Sequence, residues 1–498
     1  MNKKCVIIGS GLGGLSCGTI LAKNGYDVTV LEQDNQIGGC MQCFYRGKSK
    51  FETGMHFIGS ADQGQTLSYL FKYLGIDKDI ELDRLDTSGY DIISLGGERF
   101  RFANGKEPFI EQMSAYFPKE KDHLAKYFDL VKRIAGASSL HSLRYAESDI
   151  AISTEYQTLS INEVLNNLIE DPTLRDVLVG NIPLYAAQKN RTPFSSHAFI
   201  MDFYNQSAFR IIHGSDNIAH SLAATIQNLG GVVLTRKKAT SILCDEKQAK
   251  GVQTDDGSFF PADIVISDTH PIRTLEMLDT KMIRPFYRER VRSIPNTIGS
   301  FTVYLKFKPD TVPYINSNFY SYSQNSPWEC ENYDEESWPK GYLYMHLCHK
   351  HNPSFAESGV ILSYMTAKDV EKWNGTSVEQ RGDEYEAFKK SKAEKLLGIV
   401  KKDFPDLENG IEHYYTSTPL TYRDFTGTEN GSMYGVVKDI NNGAAYRVSH
   451  KTKVPNLFLT GQNINSHGAL GVLVGTIVTC SELLTSKRIY EQIIEANK

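Results

Sequence analysis

A glycine-rich run near the start of the chain has the residue types and spacing of a dinucleotide-binding loop. The run Val6–Ile8 reads as a buried strand, and Gly9-Ser10-Gly11-Leu12-Gly13-Gly14 follows it directly. Gly9 permits a tight strand-to-helix turn, Gly11 lets the backbone approach a pyrophosphate, and Gly14 allows the helix to pack closely on the sheet. Glu32 ends the next predicted strand, where its carboxylate would accept hydrogen bonds from an adenosine ribose. The pattern predicts a βαβ unit that binds a dinucleotide.

The residues beyond Glu32 favour one dinucleotide over another. The run Gln36-Ile37-Gly38-Gly39 follows the acid within a turn. An acid followed by a Gly-Gly pair resembles the extended FAD fingerprint of flavoprotein oxidoreductases more than a nicotinamide site, so we expect FAD. The alternative is a glycine-rich turn without a ligand. It is disfavoured because strand, loop, helix, second strand and acid all occur in register.

Three blocks with alternating strand and helix patterns are separated by two stretches whose sequence patterns differ from them. The first insert has helical patterns such as Lys126–Ile134 and Ile161–Ile169, and the second is rich in Tyr and Phe with alternating strands such as Phe301–Leu305. We predict an α/β fold in which a discontinuous Rossmann-type FAD-binding domain carries an inserted helical and mixed α+β substrate domain. The predicted FAD-binding segments are 1–106, 211–284 and 425–498, and the predicted substrate segments are 107–210 (helical) and 285–424 (mixed α+β).

Composition narrows the class of protein. A chain of 498 residues with 41% hydrophobic and 23% charged residues is typical of a globular protein with more than one domain. The net charge of −5 provides no basic field, which argues against nucleic acid as a partner. Met1–Lys4 leads directly into the first strand, so we expect no signal peptide, and no apolar run has transmembrane length. We therefore expect a cytoplasmic protein without a disulfide framework, of unknown oligomeric state.

Longer motifs carry a family resemblance that covers almost the whole chain. The run Phe51–Gly59 (FETGMHFIG) is similar to a segment of the FAD-dependent phytoene desaturase and carotenoid isomerase superfamily, and within it of the retinol saturase subfamily. Further matching motifs are Gly38-Gly39-Cys40, Arg381–Lys389, Ser417–Thr421, Tyr434-Gly435 and Asn456–Gln462. One departure is Asn463–His467, which is more polar than the subfamily pattern. The resemblance implies bound FAD, a hydrophobic polyene or isoprenoid lipid substrate, and reactions at carbon–carbon double bonds.

By matching positions, the resemblance also implies cofactor contacts. It assigns the pyrophosphate to Gly9, Gly11, Gly13 and Gly14 and the ribose to Glu32, with Gln33 as a further cofactor contact. It assigns the approach to the flavin to Gly39, Cys40 and Met41, and it places Gly54, Met55 and His56 beside the isoalloxazine. The residues expected to close the site from the C-terminal end are Gly461, Gln462, Leu470, Gly471 and Val472. Ala239 is expected to give the adenine a backbone contact. NAD(P)H is a candidate external reductant.

Three side chains are candidate catalytic groups. In this class the flavin accepts or delivers hydride, so the protein need not supply a nucleophile. His56 and His467 are placed to donate a proton or to tune the flavin, and Tyr434 is a weaker candidate. The alternative for each histidine is a packed side chain that only hydrogen-bonds its neighbours.

Two other clusters have competing interpretations. Cys40 and Cys43 form a CxxC, but no second glycine fingerprint is present, so we favour two small residues that line the flavin cleft over a redox dithiol. If His346–His351 is a strand, His346 and Cys348 share one face while His349 lies on the other. Because no matching ligand pair occurs elsewhere in the sequence, we expect no metal site.

A helix that starts at Pro285 could bring the protein to a membrane surface. Its apolar stripe would be Ile283, Tyr287, Val291 and Ile294, and its basic stripe Arg284, Arg288 and Arg292. This interpretation predicts peripheral contact with anionic lipid. The alternative is an ordinary amphipathic helix packed on the substrate domain.

The expected activity is saturation of a carbon–carbon double bond in a retinoid- or carotenoid-like lipid by reduced FAD. The same fold could instead act as a desaturase or as a redox-neutral cis/trans isomerase, because direction depends on the flavin potential and the electron partner. A non-catalytic alternative is an isoprenoid-lipid carrier of the Rab GDP-dissociation-inhibitor type, which resembles this fold. Retention of Glu32, Gly38-Gly39 and the Gly461–Gly471 segment argues against the carrier.

Overall fold

The computed structural model describes residues 2–138, 143, 155–323, 326–347, 354–442 and 447–498. The strands are β1 (Lys4–Ile8), β2 (Asp27–Leu31), β3 (Cys43–Arg46), β4 (Ser49–Glu52), β5 (Ile58–Gly59), β6 (Leu82–Arg84), β7 (Asp91–Leu95), β8 (Glu98–Phe102), β9 (Ala208–Ile211), β10 (Val232–Leu234), β11 (Ala239–Cys244), β12 (Ala249–Thr254), β13 (Phe259–Pro261), β14 (Ile264–Ser267), β15 (Gly299–Phe307), β16 (Asn318–Tyr322), β17 (Gly341–His346), β18 (Ser358–Met365), β19 (Ile411–Ser417) and β20 (Leu457–Leu459). The helices are α1 (Leu12–Lys23), α2 (Thr66–Leu74), α3 (Lys106–Tyr116), α4 (Lys121–Ala137), α5 (Ile161–Leu168), α6 (Pro172–Leu178), α7 (Phe194–Gln206), α8 (Asp216–Asn228), α9 (Pro271–Glu276), α10 (Pro285–Arg292), α11 (Asp383–Asp403), α12 (Leu407–Gly410), α13 (Pro419–Thr426), α14 (Gly468–Leu484) and α15 (Ser486–Ala496).

A five-stranded parallel sheet is built from three separated parts of the chain. Its strand order is β10-β2-β1-β14-β20, and every pairing is parallel. The four residues Cys5–Ile8 of β1 are buried, as expected for a parallel strand covered on both faces. The predicted α/β class with a discontinuous Rossmann-type start is confirmed.

The two faces of the parallel sheet are covered differently. Helices α1, α8 and α14 share one apolar core with the sheet, and α14 is buried along nearly its whole length, which explains its almost uniformly apolar sequence. The antiparallel strands β11, β12 and β13 share a second core with residues of the sheet, including Val6 and Val265. Both layers leave the carboxyl ends of β1, β2 and β14 open to the loops that follow them.

A seven-stranded mixed sheet forms the other large layer. Its order is β19-β15-β18-β17-β16-β7-β8, with β16 and β7 paired in parallel. One face packs with residues of α3 to α7, and the other with α11, because apolar residues alternate along the strands. β7 and β8 lie within residues 1–106, so this segment contributes strands to both large sheets. The domain boundaries themselves stay a prediction.

Several predicted helices are present within the described residues. α4 contains the predicted Lys126–Ile134 pattern, and α5 covers Ile161–Leu168. Helix α11 begins with the acidic residues Asp383 and Glu384 and ends at Asp403, two residues before Pro405. No described helix is long and apolar enough to cross a membrane.

The amphipathic helix α10 uses its apolar stripe internally. Ile283, Val291 and Ile294 are buried, the first two within the core under β11 to β13. Arg288 donates hydrogen bonds to the carbonyl oxygens of Leu275, at the end of α9, and Leu278, the latter at 2.8 Å. The interfacial interpretation of this stripe is therefore wrong, because the residues that would enter lipid are already packed against protein.

Candidate active site

A cavity of about 770 Å³ runs along residues from both large sheets. The glycine end is lined by the loops after β1, β2, β10 and β14, and the apolar end by residues of β17 and β18 and by the segments around Leu184 and Met433. Ligands of α/β sheets characteristically bind at the carboxyl ends of the parallel strands, where β1 and β14 end here. The cavity can therefore hold an elongated ligand at its glycine end and an apolar ligand at its apolar end.

The glycine loop packs closely against Asp268, which leaves no room for side chains on its glycines. Gly9 has φ of +95°, and a Cβ added to Gly11 or Gly13 would come within 2.6 Å of a carboxylate oxygen of Asp268. All three glycines line the cavity. Gly14 does not line it, and a Cβ there would lie 2.2 Å from the carbonyl oxygen of Gly9. Gly14 therefore packs α1 against the turn, as the fingerprint requires of its last glycine.

Glu32 is fixed at the end of β2. Its Oε2 accepts hydrogen bonds from the backbone N–H of Ser10 at 3.0 Å and from the Ser10 hydroxyl at 2.5 Å, while Oε1 accepts from the N–H of Asp34 at 3.0 Å. Only 7% of Glu32 is exposed, and both Glu32 and Gln33 line the cavity. The contact of Glu32 with a ribose stays a prediction.

The outer part of the glycine end carries cations that the sequence did not single out. Lys237, Lys238 and Ala239 line the cavity, as does Arg273 of α9. The backbone N–H of Lys237 donates to the carbonyl oxygen of Glu32 at 2.7 Å, which holds this segment beside β2. Ala239 therefore lies at the cavity wall, where the adenine contact is predicted.

A short turn closes over the glycine loop. Gly38 and Gly39 have φ of +117° and +55°, and they lead into the 3-10 turn Gly39–Met41. The N–H of Gly38 donates to the carbonyl oxygen of Ser10 at 3.1 Å. Gly39, Cys40 and Met41 all line the cavity, and so do Gly54 and Met55.

The CxxC pair behaves as two separate thiols. Cys40 lines the cavity, whereas Cys43 lies outside it with its Sγ 3.9 Å from the hydroxyl of Ser215. Both cysteines are free. Burial, together with the Asp268 carboxylate, raises the pKa of Cys40 to about 11, and burial also raises the pKa of Cys43. High thiol pKa values disfavour a redox dithiol, but only Cys40 lines the cleft as predicted.

The C-terminal segment reaches the cavity with part of its predicted set. Gly461, Gln462 and Val472 line the cavity. Leu470 and Gly471 do not line it. Leu470 packs in the apolar core that α14 shares with the parallel sheet, and a Cβ on Gly471 would lie 2.7 Å from the Cβ of Ser466. Both residues therefore pack against protein and do not face the cavity.

His56 is brought to the cavity with a carboxyl partner. It lines the cavity, and its Nδ1 lies 3.3 Å from Oε2 of Glu52, with both side chains buried. Burial raises the pKa of Glu52, while the hydrogen bond from His56 acts in the opposite direction. The pair can hold and orient one proton next to the cavity.

The rings of Tyr434 and His467 pack against each other at an angle of 40°, but only Tyr434 lines the cavity. Their ring centroids are 4.7 Å apart, and the Tyr434 hydroxyl donates to the carbonyl oxygen of Pro183 at 2.9 Å. Burial raises the pKa of Tyr434. Burial and the charge of Lys438 lower the pKa of His467 to about 3, so its imidazole is neutral at pH 7. The structure therefore does not bring His467 to the cavity as a proton donor.

The apolar end is lined by aliphatic, thioether and aromatic side chains. These are Phe57, Leu184, Tyr204, Leu343, Met345, Leu362, Met433 and Tyr434. Leu343, Met345 and Leu362 alternate along β17 and β18, so the pleat aims all three toward the same face. Sequence alternation predicts such a shared face, but not that it borders a cavity.

Asp268 is the site residue that the sequence did not reveal. It directly follows β14 and lines the cavity within the ring of glycines, with its Oδ2 2.8 Å from the N–H of Gly14. Burial and the Glu32 carboxylate raise its pKa to about 7, although the Gly14 hydrogen bond lowers it. A signal was present, because the carboxyl ends of parallel strands meet at one edge of a sheet.

No metal-ligating cluster occurs among the described residues. His346 is fully buried, accepts at Nδ1 from the N–H of Ile315 at 2.9 Å, and pairs at Nε2 with the Tyr344 hydroxyl at 2.5 Å. His346 is thus a packed histidine. Cys348, His349 and His351 of the same cluster lie outside the described residues.

Comparison with known proteins places this geometry among flavoproteins. The family model described as "Flavin containing amine oxidoreductase" matches residues 12–475. The chain is 28% identical to all-trans-retinol 13,14-reductase of Rattus norvegicus, over 98% of the chain and 86% of the relative. It is 23% identical to prolycopene isomerase 2 of an Oncidium hybrid cultivar, over 92% of the chain and 79% of the relative. The crystal structure of an oxidoreductase from Methanosarcina mazei superposes with a TM-score of 0.65 at 15% identity, covering 96% of this chain and 100% of that one.

Proposed function

Because the chain belongs to the flavin-containing amine oxidoreductase family, we propose that it binds FAD and reduces a carbon–carbon double bond of a hydrophobic polyene of retinoid or carotenoid type. The observation that carries the proposal is the cavity itself, whose glycine end is continuous with an apolar end. The names of the two relatives support the substrate class, since one is a retinol reductase and the other a prolycopene isomerase.

The glycine end fits FAD. Gly9, Gly11 and Gly13 line the cavity with backbone, as the approach of a pyrophosphate requires, and the anchored carboxylate of Glu32 suits ribose hydroxyls. Lys237 and Lys238 add positive charge where an anionic dinucleotide would lie. Bound FAD supplies the hydride-transfer chemistry that no protein side chain can provide.

The apolar end suits a polyene because it offers contact area without charge. Met345, Leu362 and Met433 can pack against a conjugated chain, and Tyr204 and Tyr434 add aromatic faces. Filling this end with a hydrocarbon would exclude water from the reacting bond. Water exclusion strengthens electrostatic interactions at the reacting bond and limits side reactions.

We assign the proton of the reduction to His56. Saturation of a double bond requires a proton as well as a hydride. When both ring nitrogens of His56 carry a proton, Nδ1–H donates to the carboxylate of Glu52 and Nε2–H is the proton that can be given to the substrate. The hydroxyl of Tyr434 is engaged with the carbonyl oxygen of Pro183, so Tyr434 serves to shape the cavity.

The test is anaerobic incubation of FAD-loaded protein with a panel of retinoids and carotenoids, followed by mass spectrometry. Parallel samples contain dithionite, NADPH, NADH or no reductant, which identifies an electron donor at the same time. We expect a product with two additional hydrogens, formed only with a reductant. A product that has lost two hydrogens would overturn saturation in favour of desaturation.

Isomerisation is the second candidate, favoured by the likeness to prolycopene isomerase over 92% of the chain. It would give a product of unchanged mass and altered retention, without net consumption of reductant. A colourless protein that takes up no FAD yet binds the polyenes would instead indicate a lipid carrier. These outcomes exclude one another, so one experiment separates saturation, desaturation, isomerisation and lipid carriage.

A further inference from the structure

We propose that Asp268 controls cofactor affinity: its carboxyl group binds beside the diphosphate of FAD in the protonated form and opposes binding when ionised. This inference rests on FAD being the ligand of the glycine end. It concerns binding alone, so it does not depend on which lipid reacts.

The position of Asp268 is the first step of the argument. A Cβ added to Gly11 or Gly13 would lie 2.6 Å from a carboxylate oxygen of Asp268. A Cβ added to Gly461 would lie 2.2 Å from its Oδ1. Its Oδ2 accepts a hydrogen bond from the N–H of Gly14 at 2.8 Å. The carboxyl group therefore occupies the centre of the glycine ring, beside the place that the fingerprint gives to a pyrophosphate.

The chemistry of that place favours a neutral acid once FAD binds. The N–H groups at the start of α1 form an anion site, and Asp268 already uses one of them. Two anions in one buried site repel each other strongly because water screens them little. A protonated carboxyl group instead donates a hydrogen bond to a phosphate oxygen.

The groups that face Asp268 sharpen this expectation. Glu32 adds a second negative charge at the end of β2, and Cys40 of the covering turn is held as a neutral thiol. The cations are Lys237, Lys238 and Arg273, with Glu276 also on α9. His270 of the same loop bonds to Asn296, and burial lowers its pKa. Burial and the charge of Glu32 outweigh the hydrogen bond from Gly14 and raise the pKa of Asp268 to about 7.

Asp34 provides a matched comparison within the same region. It follows Glu32, does not line the cavity, and has a pKa raised to about 6 by burial and by Glu32. It therefore titrates in nearly the same range as Asp268, but away from the diphosphate position.

The experiment measures the dissociation constant of FAD for apoprotein by fluorescence quenching from about pH 6 to about pH 8.5. Above about pH 7 the wild-type constant should rise by up to about tenfold per pH unit, because binding then requires uptake of a proton. Asp268→Asn keeps an oxygen for the Gly14 N–H and cannot ionise. We expect it to bind FAD with a nearly constant affinity, tighter than wild type at alkaline pH.

Asp34→Asn should keep the wild-type rise with pH. ADP-ribose, which carries the diphosphate without a flavin, should compete with the same pH dependence, and adenosine should compete without it. Equal pH dependence in wild type and Asp268→Asn would overturn the proposal, as would a pH dependence for ADP-ribose equal to that for adenosine. Failure of every variant to bind FAD at any pH would contradict the proposed function instead, so the two failures are distinguishable.

Discussion

At the scale of single residues, His56 is the side chain whose replacement should separate chemistry from cofactor binding. It lines the cavity and pairs with Glu52, yet it lies outside the glycine ring. We expect His56→Gln to lower the rate of polyene reduction by roughly 10²- to 10⁴-fold, the usual contribution of general acid catalysis. FAD affinity should change by no more than a few-fold. Single-turnover kinetics of the reduced protein, with a parallel FAD titration, measure both quantities.

His413→Gln is the control for this prediction, because His413 lies on β19 with an exposed side chain. It should leave both quantities unchanged. If His56→Gln reduced the polyene at the wild-type rate, water or another group would have to supply the proton. If it lost FAD, His56 would be a cofactor ligand rather than a proton donor.

The sequence predicted the positions of residues well where local backbone geometry determines them, although their roles stay predictions. The positions of Gly9, Gly11 and Glu32 follow from one strand, one turn and one helix, all within a short stretch of chain. Asp268 and His467 depend instead on which strands become neighbours and on which side of a loop faces inward. Such facts arise from packing between distant segments, so a single sequence shows them only once the sheet order is known.

At the scale of elements, α10 shows how one amphipathic pattern supports two interpretations. Its buried stripe is held in place by Arg288, which donates to the carbonyl oxygens of Leu275 and Leu278 near the end of α9. We expect Arg288→Ala to lower the free energy of unfolding by about 1.5–3 kcal/mol, the range for hydrogen bonds that involve a charged group. Urea denaturation of the FAD-free protein measures this change.

Arg292→Ala is the matched control on the same helix. Arg292 makes an ion pair with Glu289 at 3.1 Å, and both side chains are at least half exposed. Its removal should change the free energy of unfolding by less than about 0.5 kcal/mol. Equal effects of the two substitutions would contradict the role given to Arg288. Periodicity predicted the helix correctly, but it could not tell whether protein or lipid covers the apolar stripe.

At the scale of the whole molecule, the fold joins segments that are far apart in the chain. The parallel sheet takes β1, β14 and β20 from three separate parts, and the second sheet pairs β7 with β16. The first arrangement follows a pattern that sequence motifs reveal, since each strand runs into a glycine or an acid. The second could not be predicted, because β7 reads as an ordinary strand of the first segment and nothing local indicates its partner.

Asp91 lies at this second junction and makes global stability depend on pH. It is fully buried on β7, and its Oδ1 accepts a hydrogen bond at 2.8 Å from Asn318 of β16, which is 227 residues away. Burial raises the pKa of Asp91 from 3.8 to about 7, against the opposing effects of hydrogen bonds from Asn318, Asn181 and Tyr320 and of the charge of Arg210. The folded protein therefore holds a proton there that the unfolded chain releases at lower pH.

The sign of the effect follows from linkage. Between about pH 4 and pH 7 the folded state binds more protons at Asp91 than the unfolded state, so stability from this group is lost as pH rises. Asp91→Asn keeps the bond to Asn318 and carries no charge. The free energy of unfolding of Asp91→Asn, relative to that of wild type, should therefore increase by up to about 1.4 kcal/mol per pH unit in this window. Above about pH 7 this difference should stay constant.

Urea denaturation of both proteins across the window measures the difference. Asp27→Asn, at the exposed start of β2, is the control and should follow wild type. A constant difference between Asp91→Asn and wild type at every pH would show that the buried carboxyl does not titrate on folding.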